Sequence, residues 1–224
     1  MRRLIAFDVD STLLRVESLD TALEAALARL PDAAAAKQRL HEITNAGMTG
    51  RMALRDSLEA RLALAALDRA LIGEIAEALR KRVTPGMAAL LKQLRDQGDE
   101  LHAVSGGFAD LLEPVLIDLG FDRSAIHANR FVFDGDRVSG LDPDCPLSRN
   151  GGKAEILNRI SVHATHTVIV GDGMTDFEAF EQGAADRFIG FGLIAQREVV
   201  IAAAEWAGEA YVRTVNALGA ALKR

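Results

Sequence analysis

Three short apolar runs each end abruptly in acidic residues or glycines, and this pattern most constrains what the chain can fold into. Leu4-Ile5-Ala6-Phe7 stops at Asp8-Val9-Asp10. Leu101 to Val104 stops at Ser105-Gly106-Gly107, and Thr167 to Val170 stops at Gly171-Asp172-Gly173. Arg187 to Gly190 is a fourth run. Residues that are apolar at consecutive rather than alternate positions fit strands covered on both faces. Stretches with helical spacing lie between them. Thr84-Pro85-Gly86 opens one, with proline near its first turn, and it stops near Gln97-Gly98. Another follows Gly107 and ends at Gly120, and a third begins at Gly151-Gly152-Lys153. Ile126 to Asn129 reads as a short strand. Phe131-Val132-Phe133, Asp134-Gly135-Asp136 and Arg137-Val138 read as a hairpin. Strands alternating with helices predict an α/β fold, a Rossmann-like, mostly parallel sheet flanked by helices.

The stretch from Val16 to Ala78 breaks this alternation. It is rich in alanine, leucine, arginine and glutamate, and its only proline is Pro31. Leu19, Leu23, Ala26, Leu27 and Leu30 recur at helical spacing, as do Leu54, Leu58, Leu62 and Ala65. Three or four helices are expected, with breaks near Pro31-Asp32 and near Asn45-Ala46-Gly47. At roughly 150 residues per domain, 224 residues make about one and a half domains. The expected division is a catalytic core over 1–15 and 79–224, with a small helical cap inserted over 16–78.

Composition narrows the classes of function. The formal net charge of −6 offers no basic excess to neutralise phosphates, which argues against a nucleic-acid partner. The single cysteine, Cys145, excludes an intramolecular disulfide and a cysteine-based zinc cage. No apolar run approaches the roughly 20 residues that span a bilayer, so no membrane partner is expected. Leu4 to Phe7 is too short for the apolar core of a signal peptide, and the expected compartment is the cytoplasm. The five histidines show no metal-ligand spacing. Trp206 and Tyr211 are expected to pack near the C-terminal helices.

In an open parallel sheet, ligands bind outside the carboxyl ends of the strands. The polar residues at those ends therefore converge: Asp8, Asp10, Ser105, Gly106, Lys153, Asp172 and Asp176. Asp8 and Asp10, at i and i+2, are expected on one face of a strand. Two close carboxylates repel, so one is protonated or a cation holds them. With Asp172 they make an all-oxygen donor set that suits a hard cation such as Mg²⁺. Lys153 offers positive charge, Ser105 a hydroxyl, and the glycines let backbone N–H groups approach an anion. That combination suits phosphoryl transfer, with an aspartate free to attack phosphorus. Taken singly, each residue has a plainer reading. An aspartate at a strand end can be a cap, paired glycines a turn, and Lys153 a solvated side chain. Thr175-Asp176-Phe177-Glu178 fits a capping box.

Asp8-Val9-Asp10-Ser11-Thr12, Ser105-Gly106-Gly107, Gly152-Lys153 and Gly171-Asp172-Gly173-Met174-Thr175-Asp176 resemble the four ordered motifs of the haloacid dehalogenase-like hydrolases. More narrowly, the chain resembles the branch that acts on phosphoserine. Val83-Thr84-Pro85-Gly86, Ala128-Asn129-Arg130 and Phe188-Ile189-Gly190-Phe191-Gly192 extend the likeness over nearly the whole length. The resemblance implies a Mg²⁺-dependent phosphomonoester hydrolase with Asp8 as nucleophile and Asp10 as general acid and base. It implies Mg²⁺ held by Asp8, the Asp10 backbone carbonyl and Asp172, with Asp176 in support. Ser105, Gly106 and Lys153 would bind the phosphoryl group. Glu17, Met48, Gly50, Arg61 and Thr175 would meet the substrate, a small phosphorylated metabolite such as L-phosphoserine. Glu17 would take its ammonium and Arg61 its carboxylate. Arg197 matches an arginine near the rim. Thr49 stands where the family has glycine, and Leu54 where a lid phenylalanine is usual. Both departures bear on substrate choice. Phosphoryl transfer to an acceptor alcohol such as homoserine is an alternative, and non-catalytic binding of phosphate or Mg²⁺ a distant one. A monomer or homodimer is expected.

Overall fold

A computed structural model describes residues 3–223. In chain order its strands and helices are β1 (Arg3–Phe7), α1 (Ser18–Leu27), α2 (Ala33–Met48), α3 (Leu54–Leu62), α4 (Arg69–Leu79), α5 (Met87–Asp96), β2 (Glu100–Phe108), α6 (Ala109–Asp118), β3 (Ile126–Asn129), β4 (Phe131–Asp134), β5 (Arg137–Leu141), α7 (Gly152–Ile160), β6 (His166–Gly171), α8 (Met174–Glu181), β7 (Arg187–Phe191), α9 (Glu198–Ala207), β8 (Ala210–Val212) and α10 (Val215–Ala221). Six of the described strands form a parallel sheet in the order β3-β2-β1-β6-β7-β8. β4 and β5 form a separate antiparallel hairpin. The expected Rossmann-like α/β architecture is the one observed.

The consecutive apolar runs are explained by two cores, one on each face of the sheet. Ile5 and Phe7 belong to one hydrophobic cluster, Leu4 and Ala6 to the other. Val168 and Val170 alternate with Ile169 in the same way, as the pleat requires. The first core is closed by α1, α4, α5, α6 and α10, and Leu40 of α2 and Leu58 of α3 join it. The second is closed by α7, α8 and α9. Phe7, Phe108, Phe188 and Phe191 are fully buried, each contributing about 1.5–3 kcal/mol by leaving water.

The topology also selects the site. From β1 the chain passes to β2 and β3 on one side, then returns to β6 on the other side of β1. Connections on the two sides cover opposite faces, so a crevice opens at the ends of β1 and β6. The Asp8 N–H donates to the Val170 carbonyl (2.8 Å), which locks those two ends together.

Several local expectations need correction. The expected break near Asn45-Ala46-Gly47 falls one residue later, where α2 ends at Met48. Gly47 also serves close packing, because a Cβ there would lie 2.5 Å from Ser57 Oγ on α3. Asp8 and Asp10 sit just past β1, not on it, in a tight turn over Val9–Leu13 where Ser11 adopts a left-handed φ of 54°. Ser105 lies within β2, which runs on to Phe108. Pro85 precedes α5, because Gly86 turns with φ 87° before the helix starts at Met87. β8 was not anticipated, being only three residues long. Trp206 is 82% exposed on α9 rather than packed, whereas Tyr211 does pack against the second core.

Candidate active site

Asp8, Asp10, Glu17, Met48, Gly50, Arg61, Ser105, Gly106, Lys153, Asp172, Thr175 and Asp176 all line one cavity, so the fold brings every expected site residue together. Asp8 follows β1 and Asp172 follows β6, and their strands are neighbours in register. Lys153, in the first turn of α7, reaches between two carboxylates. Its Nζ lies 2.7 Å from Asp8 Oδ1 and 2.6 Å from Asp176 Oδ1. Asp176 also reaches back to accept from the Gly173 N–H (3.2 Å), capping α8. The capping interaction expected from Thr175 and Glu178 is therefore displaced: α8 begins at Met174, and Gly173 and Asp176 form the cap. Gly171 permits this arrangement, because a Cβ there would lie 2.2 Å from the Asp176 carboxyl carbon.

Burial dominates the electrostatics. It pushes the Asp10 carboxyl well above the usual range, and the nearby Glu17 adds to the shift. Burial likewise raises Asp172, with Asp8 adding repulsion. Burial raises Asp176 to about 7 while Lys153 pulls the other way. For Lys153, burial opposes the charge, but Asp176 and Asp8 outweigh it and hold the ammonium above its ordinary range. Lys153 is therefore a charged group that these carboxylates keep in place.

The donor set fits a hard divalent cation. Asp8, Asp172 and Asp176 each offer a carboxylate oxygen, all within 4.8 Å of one another. Asp10 Oδ1 is buried with no hydrogen-bond partner among the described residues. Six acidic groups line the cavity, at Asp8, Asp10, Glu17, Asp172, Asp176 and Glu178, against the cations Arg61, Arg149 and Lys153. An all-oxygen cluster with a surplus of negative charge suits Mg²⁺.

On the helical side, Glu17 Oε1 accepts from Ser11 Oγ (2.8 Å) and lies 3.5 Å from Arg197 Nη2. Burial raises the Glu17 carboxyl. Arg197 also pairs with Asp172 Oδ2 at 2.9 Å, so it links the strand end to the start of α1. Arg61 is buried, and its Nη1 lies 3.1 Å from Asp20 Oδ1. Leu54 lines the cavity, and its N–H donates to Asn150 Oδ1 (3.2 Å) in the loop before Lys153.

Four supporting residues were assigned no role from the sequence. Ser18 Oγ donates to Asp10 Oδ2 (2.8 Å), fixing that carboxyl. Asn129 Nδ2 donates to the carbonyls of Gly106 (2.8 Å) and Leu147 (3.2 Å), tying the end of β2 to the helical turn Pro146–Ser148 beside the cavity. Asp20 and Thr44 complete the surroundings of Arg61. The position of Asn129 at a strand end was a usable signal. Ser18, Asp20 and Thr44 lie on helices whose packing no local pattern discloses.

The comparisons agree with this geometry. The haloacid dehalogenase-like hydrolase family matches residues 5–181. A chloroplastic phosphoserine phosphatase of Arabidopsis thaliana is 32% identical over 217 residues, which are 96% of this chain and 71% of that protein. A phosphoserine phosphatase of Rattus norvegicus is 32% identical over 206 residues, covering 90% of this chain and 87% of that one. The crystal structure of a phosphoserine phosphohydrolase-like protein from Francisella tularensis superposes with a TM-score of 0.85 at 30% identity, covering 98% of this chain and 99% of that chain. Among the described residues, no helix is long and apolar enough to cross a membrane. With four motif segments meeting at the strand ends and a family match over most of its length, the chain belongs to the haloacid dehalogenase-like hydrolases and is a phosphoric monoester hydrolase.

Proposed function

We propose that the protein hydrolyses L-phosphoserine to serine and phosphate through an aspartyl-phosphate on Asp8. One observation carries the substrate: the cavity that holds Asp8 and Lys153 is also lined by Glu17 and Arg61. A phosphate ester carrying an ammonium and a carboxylate needs one anion and one cation beyond its phosphoryl end. A guanidinium suits a carboxylate because it can donate two parallel N–H bonds.

An Asp8 oxygen attacks phosphorus, and the bond from phosphorus to the serine oxygen breaks. The departing oxygen takes a proton from Asp10, whose protonated form burial favours. Water then attacks the aspartyl-phosphate and gives its proton to Asp10, releasing phosphate and restoring both carboxyl groups. Lys153 and the Ser105–Gly106 segment hold the phosphoryl oxygens. Asp8, Asp172 and the Asp10 backbone carbonyl would hold Mg²⁺, with Asp176 in support. The ion would supply positive charge to the phosphoryl oxygens. The helices over 16–78 act as a cap that bounds the substrate, with Met48, Gly50 and Thr175 at its margin.

A phosphate-release panel over small phosphomonoesters, with Mg²⁺ and with chelator, tests this. L-Phosphoserine is expected to exceed the other esters by at least about tenfold in kcat/KM, with all activity lost to chelator. Equal rates across the panel would overturn the substrate. A new phosphate ester formed on adding homoserine would identify phosphotransfer instead.

A further inference from the structure

The surroundings of Arg61 are more elaborate than a single substrate contact requires. Asp20 of α1, Thr44 of α2 and Arg61 of α3 meet in the interior with relative exposures of 6%, 9% and 4%. Arg61 Nη1 donates to Asp20 Oδ1 (3.1 Å). Arg61 Nε donates to the Ser57 carbonyl on its own helix (3.3 Å). The other Asp20 oxygen accepts from Thr44 Oγ1 (2.7 Å). Burying a carboxylate and a guanidinium carries a large desolvation cost, and replacing such a pair with apolar side chains is often neutral or stabilising. Stability alone therefore does not account for it.

Geometry does. A guanidinium is a planar fork, so holding it at Nε and Nη1 also fixes the direction of Nη2. Nη2 has no protein partner among the described contacts, while Arg61 lines the cavity. We propose that Asp20 is a positioning residue: held by Thr44, it fixes Arg61 so that its remaining donors meet the substrate carboxylate. Asp20 also offsets the charge of Arg61. The guanidinium then acts as an oriented donor rather than a mobile cation, and it is restrained from swinging toward the phosphoryl end. The inference rests on the proposed role of Arg61 and adds what makes that role selective.

The test compares L-phosphoserine with phosphoethanolamine, the same ester without the carboxylate, in Asp20→Asn, Thr44→Val, Thr44→Ser and Arg61→Ala. Asp20→Asn is expected to raise KM for L-phosphoserine about tenfold with kcat changed less than about twofold. The corresponding change for phosphoethanolamine is expected to be several-fold smaller. Thr44→Val should shift KM in the same sense, and Thr44→Ser, which keeps the hydroxyl, should restore it. Equal losses on both esters, or no change in KM for L-phosphoserine, would overturn the inference. If Asp20→Asn does not fold, the Thr44 pair decides by the same criterion. If Arg61→Ala raises KM and the Asp20 and Thr44 variants do not, positioning alone fails. If Arg61→Ala leaves KM for L-phosphoserine unchanged, the proposed carboxylate contact fails and this inference with it.

Discussion

At the sheet rim, Asp8, Lys153, Asp172 and Asp176 sit within the first residues past a strand or the first turn of a helix. On the inserted helices, Asp20, Thr44 and Arg61 lie on three separate helices and meet only through side-chain packing. The rim is thus set by strand register and backbone hydrogen bonds, such as the one from Asp8 N–H to the Val170 carbonyl. The helical side is set by how well three helices interlock. A rim built on backbone tolerates little change, whereas a packed helical wall can be altered while the rim stays intact. Under the proposed function, chemistry and substrate choice are therefore expected to separate by mutation.

The largest expected effect breaks the rim. Asp8→Asn is predicted to lower phosphate release from every ester by at least about 10⁴-fold, with circular dichroism unchanged. Substantial residual hydrolysis would remove Asp8 as nucleophile. Two glycine substitutions then sharpen the comparison, because each inserts one methyl group. Gly171→Ala drives a Cβ into the Asp176 carboxyl and should cost about 10²-fold on L-phosphoserine and on p-nitrophenyl phosphate alike. Gly47→Ala pushes α2 from Ser57 on α3. Overpacking of this kind costs about 1–3 kcal/mol, read as a lower Tm. Its kinetic effect should fall on KM for L-phosphoserine, with the aryl ester nearly unaffected. If the two glycine variants gave the same substrate profile, rim and wall would not be separable.

The smallest effect lies outside both regions. His127 on the edge strand β3 stacks on His102, whose Nδ1 is 3.0 Å from His127 Nε2 and whose Nε2 is 3.1 Å from Glu100 Oε1. Burial, with repulsion from His102, lowers the His127 pKa to about 4. An unfolded histidine titrates near about 6.5, so between these values the unfolded chain binds more protons. This contribution to stability is present above about 6.5 and is lost as pH falls toward about 4. For a partly exposed ring the loss is about 1–2 kcal/mol after solvent screening. Urea unfolding across that window should show the slope, and His127→Gln should flatten it without changing activity at neutral pH.

The same comparison explains what was legible in the sequence. Asp8, Ser105, Lys153 and Asp172 stand at punctuation points, where an apolar run ends or paired glycines open a helix. Position alone therefore exposes them. Arg61 and Glu17 were found only through a resemblance, because a charge on a helix has no local mark that distinguishes a cavity from solvent. Asp20 and Thr44 were missed because their significance depends on inter-helix contacts between residues up to 41 positions apart, and Ser18 because it acts by donating to Asp10 in the turn after β1. Gly47 was legible as the end of a helix, which follows one residue later, but its second role in admitting α3 was not. Asp8 and Asp10 were expected on one strand face although they follow β1; both nonetheless keep extended backbone angles on either side of Val9.

The central claim is that the sheet rim performs the chemistry and the inserted helices choose the ester. It is tested most directly by the ratio of kcat/KM for L-phosphoserine to that for p-nitrophenyl phosphate in Arg61→Ala. The ratio is predicted to fall about a hundredfold, with hydrolysis of p-nitrophenyl phosphate retained. An unchanged ratio, with both esters slowed equally, would contradict it.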